Sequence, residues 1–366
     1  MTAGPIRIGV IGAGVISDTY LQNLSSFPDV RVEMVADLDL ARAAAKAAEH
    51  GVARSGTVAE LLDDPGIELV VNLTVPAAHV EVGLAALEAG KHVWTEKPLA
   101  LDRSAARKLL DRARDLGLRV ASAPDTVLGA GLQTARRALE QGRIGEPRTA
   151  LALFQSPGPE SWHPAPEFLF QEGGGPLLDM GPYYLTTLVL SLGPVRRVTA
   201  TGGRARDTRV IGSGPRAGTE FAVTVDTTVT ALLEFAGGGS AQLVLTFDSA
   251  LPRTGFEVAG TLGTAVLPDP NRFDGSVLLH LLGQQEPVEL LPEGHAASRG
   301  TGVLELARAI RAGVPERASG ELAYHVLDTM QAIEESIAAG GPVSVQSTVE
   351  VPAVLPTDWD PLARTL

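Results

Sequence analysis

Apolar and polar positions follow two different periods in the first third of the chain. Continuous apolar runs indicate strands buried on both faces of a parallel sheet, and they are Ile6–Ile11, Val30–Ala36, Glu68–Thr74, His92–Trp94 and Arg119–Ser122. The segments between them have helical spacing and predict helices over Ser17–Phe27, Leu40–His50, Ala77–Ala89 and Arg103–Leu116. Because strand and helix alternate strictly, residues 1–124 are predicted to form a doubly wound Rossmann domain.

The pattern changes near Pro124, and the elements that follow predict a second, α+β domain over residues 125–366. Its first half contains a helix, a strand, a loop rich in Gly and Pro, and another helix: Leu128–Gln141, Arg148–Gln155, Ser156–Pro176 and Leu177–Leu192. Later strands alternate apolar and polar residues, as in Thr224–Phe235 and Ser240–Asp248, which the three glycines 237–239 join as a hairpin. Alternation predicts a large, mostly antiparallel sheet with one open face. The late helices Gly302–Ala312 and Glu321–Ala339 are expected to cover its other face.

Composition narrows the possible functions. The 366 residues are 45% hydrophobic and 20% charged, which suits two folded domains. A net charge of -13 without a basic run disfavours nucleic-acid partners. The absence of Cys excludes disulfides, thiolate metal sites and cysteine nucleophiles, and we expect no metal site. No apolar stretch has the length of a membrane span or the form of a signal peptide, so a cytoplasmic protein without membrane contact is expected.

A glycine-rich turn follows the first strand and opens the first helix: Gly12-Ala13-Gly14-Val15-Ile16-Ser17. The first glycine permits the tight turn, the second lets the backbone approach a pyrophosphate, and the helix start offers unpaired N–H groups. Asp37 ends the second strand, where a carboxylate accepts hydrogen bonds from both ribose hydroxyls of NAD and repels the 2′-phosphate of NADP. The turn residues Gly12, Gly14, Val15 and Ile16, together with Asp37, are therefore predicted to bind NAD.

Polar residues also follow the later strands of the predicted Rossmann sheet. Thr95-Glu96-Lys97-Pro98 comes directly after the fourth apolar run, and Thr74, Pro76 and His79 come after the third. Ligands of open α/β sheets lie beyond the carboxyl ends of the strands. Thr74, Pro76, His79, Glu96 and Lys97 are therefore predicted to face the cofactor.

The helix predicted from Leu177 carries an acidic residue on an otherwise apolar surface. Asp179 and Tyr183 are four residues apart and share a helix face. A buried carboxylate is costly without a partner, so Asp179 is expected to pair with Lys97 or with a structural hydrogen-bond donor. In the loop before this helix, Trp162 is predicted to contact the cofactor and His163 to act in catalysis if the loop folds over the site.

The glycine-rich turn, Glu96-Lys97-Pro98 and the segment from Gly173-Gly174-Gly175 to Asp179 together resemble the Gfo/Idh/MocA oxidoreductase family. Gly142-Arg143-Ile144-Gly145-Glu146-Pro147 is similar to that family's bridge into the second domain. The resemblance implies hydride transfer between a nicotinamide cofactor and a sugar, inositol or related polyol, with Lys97 contacting the reacting oxygen. The chain departs from the family at Tyr183, where relatives usually have His, and at His163, where many have Arg.

These departures leave the proton acceptor open among Lys97, Tyr183 and His163. A free Tyr has a pKa near ~10 against ~6.5 for His, so Tyr183 is a poor base and Lys97 the favoured one. Two other functions remain open: an NAD-using lyase that cleaves glycosides through a transient oxidation, and a non-catalytic NAD-binding regulator. The open sheet face further predicts a homodimer or homotetramer joined through the second domain.

Overall fold

The structure is a computed structural model that describes residues 4–366. The chain forms two compact units. The first contains the chain up to Gly129 together with Gly294–Tyr324 and Leu355–Leu366, and the second contains Ala130–Glu293 and His325–Val354. The domain boundary predicted after residue 124 lies close to the first crossing between the units. The two later returns of the chain to the first unit were not predicted, since both segments had been assigned to the second domain.

The first unit is built on a parallel six-stranded sheet in the order β3-β2-β1-β4-β5-β6, the Rossmann arrangement. Its strands are β1 (Ile6–Ile11), β2 (Val30–Ala36), β3 (Arg54–Gly56), β4 (Leu69–Asn72), β5 (His92–Thr95) and β6 (Val120–Ser122). Its connecting helices are α1 (Val15–Leu24), α2 (Leu40–Glu49), α3 (Val58–Asp63), α4 (His79–Glu88) and α5 (Arg103–Asp115). All five predicted strands and four predicted helices are present, and β3 and α3 were missed because they are short and lack a distinct apolar period.

The elements after Gly129 are mainly strands. The helices are α6 (Ala130–Glu140), α7 (Gly175–Leu192), α8 (Thr301–Ala312) and α9 (Gly320–Ala339). The strands are β7 (Pro147–Gln155), β8 (Val195–Gly203), β9 (Thr208–Val210), β10 (Glu220–Ala222), β11 (Thr228–Phe235), β12 (Ser240–Thr246), β13 (Arg253–Gly260), β14 (Gly263–Val266), β15 (Val277–Leu281), β16 (Val288–Leu290) and β17 (Val343–Ser344).

Nine of these strands form the large sheet of the second unit, in the order β16-β15-β14-β13-β7-β12-β11-β8-β17. All neighbouring pairs are antiparallel except β7 and β12, which are parallel. The predicted α/β fold class is therefore confirmed, including the hairpin at the three glycines, which joins β11 to β12. The small hairpin of β9 and β10 was not predicted.

One face of the large sheet is buried and the other is open. Helix α7 packs against β7, β11 and β12, and His325 and Ser336 of α9 accept hydrogen bonds from backbone N–H groups of β8. The alternate positions of the strands face away from these helices. On them Leu232 is 45% exposed, and Leu151, Leu153 and Val244 are half-buried. The open face predicted from the alternation is thus present and partly apolar.

Helix α8 lies in a different place from the one predicted. It was expected to cover the large sheet, but Val303, Leu304 and Leu306 join the apolar core of the Rossmann unit. The close fit at Gly302 explains its position, since a Cβ there would lie 2.1 Å from the Trp94 ring. Arg308 of α8 also donates to the Asp29 carboxylate at 2.8 Å. The apolar stripe of α8 was read correctly, but the surface that it covers was not.

Candidate active site

The glycine-rich turn between β1 and α1 has the geometry that an approaching phosphate group requires. Gly12 has φ +105°, and a Cβ there would lie 2.6 Å from the Leu73 carbonyl oxygen, so only glycine fits. A Cβ on Gly14 would meet nothing within 4 Å, which leaves open space in front of the backbone. Helix α1 begins at Val15 with Gly14 as its N-cap, so no side chain caps its first N–H groups. The helix start can therefore bind an anion.

Asp37 lies beside this turn at the end of β2. Its Oδ2 accepts the Ala13 N–H at 2.7 Å and its Oδ1 accepts the Asp39 N–H at 2.8 Å. A carboxylate has about four acceptor positions, so two remain for the two hydroxyls of a ribose. Asp39 caps α2 and forms an ion pair with Arg42 at 3.2 Å. Asp37 is thus fixed in orientation while it keeps acceptor capacity.

Exposed apolar side chains line the carboxyl ends of three neighbouring strands. Val15 after β1 is 90% exposed, Leu38 after β2 is 98% exposed, and Val75 after β4 is 67% exposed. Large apolar side chains in such positions suit the flat faces of a bound dinucleotide better than they suit water. Leu38 and Val75 were missed by the sequence analysis, because a single apolar residue after a strand has no pattern that sets it apart.

The loop after β5 presents one residue and buries its neighbours. Lys97 is half-buried, whereas every other residue from Val93 to Ala100 is buried. Glu96 is 9% exposed, and both of its carboxylate oxygens have partners within the protein. Its Oε1 accepts the Tyr20 hydroxyl at 2.7 Å, and its Oε2 accepts the Lys97 N–H at 3.0 Å. Glu96 was predicted to face the cofactor, and both of its carboxylate oxygens accept hydrogen bonds within the protein, one of them from the Lys97 backbone.

His79 is likewise a supporting residue in the structure and was predicted to face the cofactor. It is 1% exposed, and its ring lies between two loops at the carboxyl edge of the sheet. Its Nδ1 is 2.7 Å from the Pro98 carbonyl oxygen, and its Nε2 is 3.0 Å from that of Thr74. Burial lowers the pKa of His79, which favours the neutral ring. His79 therefore packs between the loops of Lys97 and Thr74, and a neutral ring donates its one N–H to one of these two carbonyl oxygens.

Thr74 and Pro76 remain accessible at this edge. The Thr74 hydroxyl donates to Asn72 Oδ1 at 2.7 Å, and Asn72 in turn donates to the His79 carbonyl oxygen at 3.0 Å. Pro76 opens a short 3-10 turn before α4. Both residues are half-buried, as the prediction that they contact a cofactor requires.

In the second unit, Asp179 is half-buried, although it lies on a helix whose other residues are almost all buried. Every other residue of α7 from Gly175 to Leu190 is buried, including Tyr183 at 4% exposure. Tyr184 is fully buried and donates to Asp269 Oδ1 at 3.3 Å, and burial together with this carboxylate raises its pKa. Tyr184 thus has its own structural partner within the second unit.

The loop before α7 carries a short row of aromatic rings. The His163 ring lies 5.5 Å from the Trp162 ring and 5.4 Å from the Phe168 ring in edge contacts. Trp162 is 68% exposed and Phe168 is 55% exposed. The His163 ring therefore packs between Trp162 and Phe168, and this row of rings lies on an accessible surface.

Arg209 anchors this loop and was not found by the sequence analysis. Its side chain is buried, pairs with Glu160 and with Asp248, and donates to the Pro157 carbonyl oxygen at 2.8 Å. It also lies over the Phe170 ring at 4.8 Å. An Arg within a three-residue strand gives no sequence signal of such a role.

Among residues 4–366, one group has side chains suited to metal binding: Asp18, Glu49 and His50. The Lys46 ammonium lies 2.5 Å from Asp18 and 3.1 Å from Glu49, so a cation of the protein already balances these carboxylates. Within the same described residues, no helix is both long and apolar enough to cross a membrane.

The phosphate-binding turn, the carboxylate after β2 and the partly exposed Lys97 at one sheet edge define a dinucleotide-dependent oxidoreductase. Residues 6–123 match the family described as oxidoreductase family, NAD-binding Rossmann fold, and residues 132–266 match the GFO/IDH/MocA C-terminal domain. The chain belongs to the Gfo/Idh/MocA oxidoreductase family, and its cofactor is NAD.

Curated relatives support the same family. The chain is 31% identical over 265 residues to a trans-1,2-dihydrobenzene-1,2-diol dehydrogenase of Mus musculus, which covers 71% of this chain and 74% of the relative. It is 31% identical over 267 residues to a 1,5-anhydro-D-fructose reductase of Ensifer adhaerens, which covers 71% of this chain and 75% of the relative. Levoglucosan dehydrogenase in complex with NADH and L-sorbose has the same fold, with a TM-score of 0.82, 22% identity and coverage of 94% and 99%.

Proposed function

We propose that the protein is an NAD-dependent dehydrogenase or reductase that acts on the CH–OH group, or the matching carbonyl, of a sugar, inositol or related polyol. The names of the relatives support this class, since they act on an anhydro-sugar and on a cyclic diol. The observation that carries the proposal is the exposure pattern. Lys97 and Asp179 are ionisable residues that stay partly exposed inside stretches that are otherwise buried. Polar groups presented in this way from rigid elements are typical of catalytic sites.

The fit of NAD rests on Gly12, Gly14 and Asp37. Gly12 permits the tight turn, Gly14 leaves open space for the pyrophosphate, and Asp37 keeps acceptor positions for the ribose. We propose that Val15, Ile16, Thr74, Pro76 and Trp162 add further contacts. When bound, NAD accepts or returns the hydride of the reacting carbon.

The remaining chemistry falls to the side chains of the protein. Lys97 can donate up to three hydrogen bonds as an ammonium, and as a neutral amine it can take the proton of the reacting hydroxyl. We assign this proton to Lys97 Nζ. We propose that Tyr183 orients the substrate or shares the proton, and that Asp179 is a further catalytic residue. His163 is the alternative acceptor, because its ring lies on an accessible loop. Pairing of Lys97 with Asp179 remains a prediction.

A screen of monosaccharides, anhydro-sugars, inositols, cyclic diols and their keto forms tests the proposal. Absorbance of NADH should rise with an alcohol substrate and NAD, or fall with a keto substrate and NADH. Formation of a cleaved product without a net change in NADH would instead support a lyase with transient oxidation. NAD binding without turnover of any compound would support a regulator.

We further propose that the open face of the large sheet joins two or four copies of the chain. Leu151, Leu153, Leu232 and Val244 give this face apolar side chains at several neighbouring strands. Replacing Leu232, which is 45% exposed, by Glu should lower the mass measured by light scattering. A monomer mass for the unaltered chain would contradict this assembly.

A further inference from the structure

A buried chain of hydrogen bonds runs from α1 to the backbone of Lys97. The Tyr20 hydroxyl donates to Glu96 Oε1 at 2.7 Å, and Glu96 Oε2 accepts the Lys97 N–H at 3.0 Å. Tyr20 is fully buried, and Glu96 is 9% exposed. The two residues are 76 positions apart in sequence, so this contact depends on the packing of α1 against β5. Tyr20 therefore lies one side chain away from the residue assigned to proton transfer.

The direction of the hydrogen bond from Tyr20 is determined by its neighbours. The Trp94 indole N–H, which can only donate, lies 3.3 Å from the Tyr20 oxygen. Because the Trp94 N–H occupies an acceptor position of the Tyr20 oxygen, the single hydroxyl hydrogen of Tyr20 points to Glu96 Oε1, which accepts it. Burial raises the pKa of Tyr20 well above its ordinary value, and the nearby carboxylates of Glu96 and Asp125 raise it further. The phenol thus remains a donor throughout the range in which an enzyme works.

The same cluster is held rigid from the side of α8. Asp125 is fully buried, and its Oδ2 accepts the N–H groups of Gly300 at 2.8 Å and Gly302 at 3.2 Å. A Cβ on Gly302 would lie 2.1 Å from the Trp94 ring and 2.8 Å from the Asp125 Cβ. Trp94 therefore packs directly against the first turn of α8, and it is fully buried together with Tyr20. This packing restricts the movement of the Trp94 ring beside the Tyr20 hydroxyl.

We propose that Tyr20 is a positioning residue for Lys97 and acts through Glu96. The inference rests on the proposed role of Lys97 in proton transfer. If Glu96 turned away, the Lys97 N–H would lose its acceptor and the backbone that directs the Lys97 side chain would gain freedom. Displacement of a catalytic group by about 1 Å can cost on the order of 100-fold in rate. The hydroxyl of Tyr20 therefore contributes to turnover although it touches neither substrate nor cofactor.

Tyr20→Phe removes this hydroxyl and keeps the ring. We expect kcat to fall about tenfold or more, while the KM for NAD changes by less than about twofold, because the turn and Asp37 are untouched. Tyr184→Phe is the matched control. It removes another buried hydroxyl that donates to a carboxylate, Asp269, and it lies in the second unit. This control should retain the kcat of the unaltered protein.

A double-mutant cycle separates action through Glu96 from general loss of structure. Glu96→Ala removes the link, so Tyr20→Phe should cost less than about twofold more in kcat in that background. The proposal would be overturned if the double variant lost kcat by the product of the two single fold-changes. A Tyr20→Phe variant with unaltered kcat would overturn it as well. Melting temperatures of the four proteins show whether each variant is folded at the assay temperature.

Pulse acylation of lysines gives a second measurement that needs no substrate. The chain has four lysines, and the exposed Lys108 serves as the internal reference for Lys97 in mass spectrometry. Tyr20→Phe should change the ratio of Lys97 to Lys108 acylation by about threefold or more, and Tyr184→Phe should leave it unchanged. An unchanged ratio in Tyr20→Phe would overturn the inference. If Lys97→Ala stays active while the ratio changes, the proposed role of Lys97 in proton transfer fails but control of the Lys97 position by Tyr20 stands.

Discussion

At the scale of single residues, Lys97 carries the proposed chemistry. Lys97→Ala removes the group that holds the reacting oxygen and takes its proton, so kcat should fall by about 10²–10⁴-fold. NAD affinity, measured by titration of Trp fluorescence, should change little because the pyrophosphate and ribose contacts lie elsewhere. Lys108→Ala on the exposed surface of α5 is the control. Full activity of Lys97→Ala would move the search for the proton acceptor to His163.

The role of Tyr183 needs its own test, since the resemblance to the family implies His at this position. Tyr183→Phe keeps the ring and removes only the hydroxyl. If Tyr183 shares the proton, kcat should fall nearly as far as in Lys97→Ala; if it orients the substrate, the loss should appear mainly as a raised KM. Steady-state kinetics beside the Tyr184→Phe control distinguish these results. Unaltered kcat and KM would exclude Tyr183 from both roles.

Asp37 should set the preference between the two nicotinamide cofactors. We expect NAD to bind at least about tenfold tighter than NADP, a difference of about 1.4 kcal/mol, because the carboxylate repels the 2′-phosphate. Asp37→Asn should remove most of this difference, since a neutral amide does not repel the 2′-phosphate. Asp39→Asn, which keeps an N-cap on α2, should have the smaller effect. Equal Kd values for both cofactors in the unaltered protein would refute the assignment.

At the scale of elements, the position of α8 depends on a close approach of its first turn. Gly302→Ala would place a Cβ 2.1 Å from the Trp94 ring, so either α8 or Trp94 must move. We expect a loss of about 1–3 kcal/mol in the free energy of unfolding, the usual cost of overpacking. Urea unfolding measures it, with Gly341→Ala as control because a Cβ there meets nothing within 4 Å. Equal stability of the two variants would show that α8 packs more loosely than described.

The elements also differ in how far the sequence predicted them. The helices around the Rossmann sheet were predicted because their periods are long and glycines end them: Gly90 and Gly117 have φ +74° and +66° after α4 and α5. Strand β3 and the β9–β10 hairpin were missed, because three residues do not define a period. Leu128 opened a predicted helix but ends a 3-10 turn, and α6 begins only at Ala130.

At the scale of the whole molecule, buried histidines make stability depend on pH. Burial lowers the pKa values of His79 and His325, and that of His92 falls to about 4. These rings protonate less readily in the folded state than in the unfolded chain, where His has a pKa near ~6.5, so each favours unfolding as pH falls from 6.5. The raised pKa values of Asp125, about 6, and of Glu305 act in the opposite direction.

We therefore expect the free energy of unfolding to fall between pH 6.5 and 4, with His92 contributing at most about 3 kcal/mol. His92→Asn keeps an acceptor for the Arg119 N–H, which lies 3.0 Å from His92 Nδ1, and removes the titrating group. Its stability should depend less on pH across this range in denaturant titrations. A pH dependence equal to that of the unaltered protein would show that His92 is not the source.

The sequence by itself determined the alternation of strand and helix, the sites where only glycine fits, and the motifs at the strand ends. These features are local, because periodicity and backbone conformation depend on residues that are close together in sequence. Only the tertiary structure decided that α8 covers the Rossmann core, that Arg209 anchors the aromatic loop, and that Glu96 and His79 support Lys97 from inside the protein. The link from Tyr20 to Glu96 spans 76 residues. An apolar stripe or a buried polar group shows that a residue needs a partner, but the partner is chosen by the packing of elements distant in sequence.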